Sequence, residues 1–343
     1  MSSSDTAAPR AAVPVALPPL RVFYWSLRRE LWEHRAIWMA PLVIGGVALL
    51  AALFSTVKLP HAVRVVAGAV ATTPLGMKLA VNFIAGPYAF VAFAAVITGL
   101  LVAMAYSLGA LHTERRDRSI LFWKSLPVSD LITVLAKAVM PIVVTPVAQL
   151  AVVFAGTLIL MGFSALVVLA SGQDLSVWWA RVPIPKIWLM LADGLPFMAL
   201  WYAPIYAWFI LVSAWARRTP YLWAIAPPLL LGLVERIVLG THAVWSWLIF
   251  RAFGVFFGGM GGSKAAATHL TTAPLTTAQT ANPAATHAAV ESATHAIIRQ
   301  AVTPHPPPVD PATWSGPHLW IGLILAAVFL AAAVWLRRSR DPI

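Results

Sequence analysis

The chain has no cysteine. Disulfides are therefore excluded, and with them Cys-ligated metal sites and a cysteine nucleophile. Charge is scarce as well: 10% of the 343 residues are charged, against about 25% in an ordinary soluble domain. So little charge cannot cover a surface for water, and lipid is the expected main solvent of a chain that is 60% hydrophobic. No H-E-x-x-H or G-x-S-x-G segment occurs, nor paired aspartates inside an apolar run, which removes the familiar routes to a membrane enzyme. The apolar runs also lack a regular row of acidic residues, which argues against a proton pump or a cation channel. A P-loop is missing. The nearest text, GGMGGSKA at 258–265, has Ser263 before Lys264 and Ala265 after it, so the final glycine and the Mg-binding hydroxyl are both absent.

What is present is apolar length. A spanning helix needs about 20 mostly apolar residues, and lipid offers its backbone no other partner, so such runs should be helices. Six runs qualify: 36–57, 87–111, 131–170, 187–214, 220–239 and 317–336. The third is too long for one upright helix and too short for two spans, so it reads as one tilted or kinked helix with Pro141 and Pro146 as the kink sites. With the N-terminus in the cytoplasm, fifteen basic residues fall on inside segments and eight on the much longer outside ones. This bias predicts both termini cytoplasmic in a plasma (inner) membrane protein. The net charge of +12 then reflects topology and anionic lipid, and nucleic acid is not an expected partner.

The expected fold class is an all-α integral membrane protein with six transmembrane helices, an N-terminal interfacial amphipathic helix and a large external region before the last span. Residues 1–19 read as an uncleaved, disordered cytoplasmic tail. Residues 20–239 hold the interfacial helix and spans one to five. In LRVFYWSLRRELWEHR, 20–35, the residues Leu20, Phe23, Tyr24, Leu27 and Leu31 recur at helical spacing. Residues 240–316 form the external region, and 317–343 the last span with a basic tail. The external region opens with an aromatic stretch that reads as a re-entrant or interfacial helix, then turns Ala/Thr/His/Pro-rich and flexible. Within it, His287, Glu291 and His295 share one face of a short helix at a spacing that can hold a metal. No group that would orient the imidazoles is readable, so no metal site is expected.

Between spans two and three lies ERRDRSILFWKSLPVSD, 114–130. A charged front (Glu114, Arg115, Arg116, Asp117, Arg118) should face water. The apolar patch Ile120, Leu121, Phe122 and Trp123 needs a greasy partner, as a docking helix in the groove of another protein. Pro127 ends that helix, and Ser129 or Asp130 can cap the next. In the spans, Glu235 and Arg236 are the clearest ionisable pair, though neighbours on a helix point about 100° apart. Gln149 is a buried polar candidate, and Lys137 is expected to snorkel from the start of span three.

Taken together, the chain resembles the permease subunits of ABC-2 type transporters. The resemblance rests on the interfacial helix, the six spans, the charged-then-apolar loop after span two and the external region before span six. Its most specific piece runs from Glu114 to Arg118, through Ile120 to Trp123 and Ser125 to Ser129, to Lys137. Asp117 or Ser119 stands where many members have a glycine. The resemblance implies an exporter half without enzymatic activity or bound cofactor of its own. It would pair with a second permease, as homo- or heterodimer, and with a separate ATP-binding cassette ATPase that supplies ATP and Mg and docks on 114–126. A non-transport sensor or scaffold built on the external region 240–316 is the alternative.

Overall fold

A computed structural model describes residues 18–57, 60, 74–117, 128–172, 175, 184–253 and 314–339. Helices dominate, and no strand occurs among the described residues. They are α1 (Pro19–Glu33), α2 (Ala36–Thr56), α3 (Pro74–Gly109), α4 (His112–Arg116) and α5 (Asp130–Ala170). After these come α6 (Ile184–Trp215), α7 (Pro220–Leu239), α8 (Ala243–Phe253) and α9 (Pro317–Ser339). Six of them, α2, α3, α5, α6, α7 and α9, are long and apolar enough to cross a membrane, so the chain is a multi-pass membrane protein. Of the expected disordered tail 1–19, residues 1–17 lie outside the described residues, as do the loop residues Arg118, Ile120, Leu121, Phe122 and Trp123 and the residues His287, Glu291 and His295. The end of the tail differs from expectation, since Pro19 already opens α1, its fixed φ suiting the first helical turn.

The third span is one unbroken helix of 41 residues, not a hairpin. At 1.5 Å per residue it is about 60 Å long, well beyond the ~30 Å hydrocarbon core, so it must tilt or project. Its irregularity sits at Pro141, where Met140–Val144 widens into a π turn. Proline brings no N–H to the ladder, and the Thr145 hydroxyl donates to the Met140 carbonyl at 3.1 Å within the widened turn. At Pro146 the helix continues in α form. The second span is longer than its apolar run suggests, continuing through Pro87 back to Pro74.

The central helix is α6, which packs along α9, α3 and α5, whereas α7 lies at the periphery with contacts chiefly to α6. One glycine on α2 and one on α3 set close approaches to α5. A Cβ on Gly45 would stand 2.6 Å from Val152 Cγ1, which lets α2 lie tight on α5. One on Gly99 would stand 1.9 Å from Gln149 Nε2, so the amide occupies the space that a side chain on α3 would take. Gln149 uses that position to donate to the Val96 carbonyl at 3.0 Å.

Short α8 is closed at both ends by side chains, as a helix end in apolar surroundings requires. At its start Glu235 accepts from Thr241 Oγ1 (2.6 Å), Ala243 N (2.7 Å) and Val244 N (2.8 Å). At its end Trp201 Nε1 donates to the Arg251 carbonyl (3.0 Å) and the Tyr202 hydroxyl to the Ala252 carbonyl (2.8 Å).

Candidate functional site

The charged groups gather where α1, α4, the start of α5 and the end of α9 meet. On α1, Leu27 and Leu31 pack against Ile37, Tyr106 and Met140. Glu30 lies between them on the same stripe, so the turn that buries the leucines buries the acid as well. Ser129 begins α5 as its N-cap, accepting from Ile132 N at 3.3 Å. Two turns into α5, Lys137 is 1% exposed.

Lys137 Nζ reaches Glu30 Oε1 at 2.8 Å and Glu114 Oε1 at 3.0 Å. Arg337, near the end of α9, reaches Glu114 Oε2 with Nη1 at 2.9 Å and Asp130 Oδ1 with Nε at 2.8 Å. Arg29 Nη2 adds contacts to Glu30 Oε1 (2.7 Å) and Glu114 Oε1 (3.4 Å). The Tyr106 hydroxyl, from α3, donates to Glu30 Oε2 at 2.8 Å. Three carboxylates thus meet three cations, and both oxygens of Glu30 and of Glu114 are engaged. A buried charge costs several kcal/mol unless it is paired and its lone pairs are filled, and this cluster meets both conditions.

Burial alone would raise the Glu30 carboxyl. The Lys137 ammonium and the Arg29 guanidinium outweigh it and hold the group down at about 2. A depressed acid stabilises the fold above its unfolded value and loses that contribution as pH falls through the folded one. The window for Glu30 therefore runs from 4.5 down to about 2. Hydrogen exchange on α1 should show protection falling as pH is lowered into this window. The variant Glu30→Gln should show a flatter profile; an equally steep one would separate the acid response from Glu30.

The predicted loop run divides at its root. Glu114, expected in water, is buried in the cluster, because α4 turns it toward Lys137 and Arg337. Arg115 also turns inward. It donates through Nη2 to the Ser213 carbonyl and to the Ala216 carbonyl at 2.9 Å. His112 Nδ1 lies 3.2 Å from the same Ala216 carbonyl, and Leu111 N donates to Ser213 Oγ at 3.2 Å. Arg115 thereby satisfies carbonyls at the end of α6 that its own ladder leaves open, and the cation complements the helix dipole. Arg116 and Asp117 pair with each other on the surface at 3.2 Å.

The remaining predicted residues are dispersed. Glu235 caps α8, whereas Arg236 faces outward on α7, so the two do not form a pair. Gln149 lines a small cavity with Gly99, Thr145, Tyr202 and Tyr206. No cluster of metal-ligating side chains occurs among the described residues.

Sequence reasoning passed over Glu30, Asp130, Lys137 and Arg337 as one unit. Glu30 had a readable signal, since it lies three residues beyond Leu27 on the apolar stripe of α1. Arg251 was also passed over. It is 1% exposed, sits 4.5 Å over the Trp201 ring and donates by Nη1 to the His318 carbonyl at 2.9 Å, while its Nε and Nη2 have no acceptor among the described residues. No family model, curated protein or solved structure matches the chain.

Proposed function

We propose that the chain is the membrane-spanning permease subunit of an ATP-binding cassette transporter. In this reading both termini and the 114–126 loop are cytoplasmic, α1 lies at the inner interface of the plasma membrane, and 240–316 is external. A separate ATPase docks on the loop, a second permease completes the pathway, and the pair exports its substrate. One observation carries the reading: the root of the loop is clamped to the spanning helices. Glu114 ties it to α5 through Lys137 and to α9 through Arg337, and Arg115 ties it to the end of α6. A loop that transmits force needs a stiff root, and buried, fully paired charges provide one because sliding any member apart strands a charge. A plain positive-inside loop requires no such anchoring.

The test asks first whether a neighbouring reading frame encodes an ATP-binding cassette ATPase; its absence counts against the proposal. The ATPase should copurify with the tagged permease, and Phe122→Ala with Trp123→Ala should lower recovery at least about tenfold, since a buried aromatic anchor is worth about 2 kcal/mol or more. Insertion of the six spans should be unchanged. Undiminished recovery, or a reporter beside Trp123 found on the outer side, removes the proposal.

A further inference from the structure

A second feature lies at the same end of the bundle. After α6 ends at Trp215 the chain turns sharply through Thr219, whose φ is 47°, and enters α7 at Pro220. The turn encloses a cleft of about 590 Å³ lined by Trp215, Ala216, Arg217, Arg218, Thr219 and Trp223. That size lies within the range of about 300–1,000 Å³ typical of small-ligand sites, too small for a protein partner.

The lining has the chemistry of an anion site. Arg217 and Arg218 are exposed, and among the described residues neither forms an ion pair with an acid. The cluster nearby is balanced within itself, so it offers these arginines no carboxylate. The acceptor in the cleft wall, the Ala216 carbonyl, is already taken by Arg115 and His112. Thr219 does not cap α7 with its side chain, so the positive end of that helix dipole adds to the field of the arginines.

The surroundings favour a lipid over a free anion. Trp215 and Trp223 pack edge to face at 4.7 Å on the cleft wall, and tryptophan concentrates where headgroups meet acyl chains. Beyond the cleft, α7 exposes Leu230 and Val234, two and three turns on from Trp223 along the same face, where acyl chains can run. The geometry points to a binding site for one anionic glycerophospholipid, with its phosphate between Arg217 and Arg218 and its chains along α7. This inference needs only that the six apolar helices lie in a bilayer, and it stands apart from any ATPase partner.

The test is native mass spectrometry of the full chain released from nanodiscs containing phosphatidylcholine and phosphatidylglycerol. The unmodified chain should retain phosphatidylglycerol preferentially, and the double variant Arg217→Gln, Arg218→Gln should lose that preference by roughly tenfold, since each basic residue contributes several-fold attraction to anionic lipid. Arg217→Lys with Arg218→Lys should restore part of it, which separates charge from folding. Equal retention of both lipids by the unmodified chain overturns the inference, as does an unchanged preference in the Gln variant. An added glycerol phosphate arm distinguishes the sources: displacement of the lipid by the soluble phosphate would assign the cleft to a free anion instead.

Discussion

Replacing Lys137 by Met should destabilise the folded protein by about 3–5 kcal/mol, the cost of removing one partner from a buried ion pair. Lys137 is the only cation within 3.0 Å of both Glu30 and Glu114 among the described residues. Without it two buried carboxylates face one another across the space it filled. Arg29 remains 2.7 Å from Glu30 but only 3.4 Å from Glu114 and cannot fill both roles at those distances. Thermal unfolding in detergent would read the loss. The triple variant Glu30→Gln, Lys137→Met, Glu114→Gln should recover much of it, because it removes the two carboxylate charges that share this cation, even though Arg29 still faces Glu30 and Arg337 still faces Glu114. A single Met variant as stable as the parent would show that water or lipid headgroups already solvate this cluster. Glu114→Gln alone should cost less, since Lys137 keeps Glu30 and Arg337 keeps Asp130.

The second large effect is expected at the other end of the bundle. A Cβ on Gly322 would lie 1.9 Å from Arg251 Nη2 and 2.5 Å from its Cζ. The guanidinium has little room to withdraw, held between the Trp201 ring at 4.5 Å and the His318 carbonyl at 2.9 Å. Gly322→Ala should therefore cost about 1–3 kcal/mol as an overpacking change. In an Arg251→Ala background the same change should cost little, and the difference is the coupling that a double-mutant cycle measures, about 0.5–3 kcal/mol for residues in contact. Arg251→Met should be tolerated better than its burial suggests, because it discards a charge whose Nε and Nη2 have no acceptor among the described residues. A neutral Gly322→Ala, measured by the same thermal unfolding, would mean that the arginine moves aside freely.

The six spans and the amphipathic first helix were legible in the sequence to within a few residues at most of their ends. Bilayer physics makes this possible: an apolar run of spanning length has no outlet for its backbone except its own helix. Pro141 was legible as the place where the long third span departs from ideal geometry, because a missing N–H acts locally. The start of α3 was less legible, since this helix begins at Pro74, well before the run expected from 87, whereas α5 ends where its apolar run does, at Ala170.

The charge cluster was not legible as a cluster. Glu30 and Lys137 are 107 residues apart, and Arg337 and Glu114 are 223 apart. Each looked like an ordinary interfacial charge, and no periodicity connects them. Glu114 seemed destined for water because its neighbours Arg116 and Asp117 are there, yet the five-residue helix α4 points it the other way. Glu235 looked like half of an intramembrane pair and is instead the cap of the helix that follows.

The sequence by itself determined that this chain is apolar enough to live in lipid and how many times it can cross, because those properties sum over residues regardless of their partners. Only the tertiary structure decided which charges meet, and hence which helices the loop root holds. Pairing depends on the placing of distant segments to within an ångström or so, which local composition does not encode.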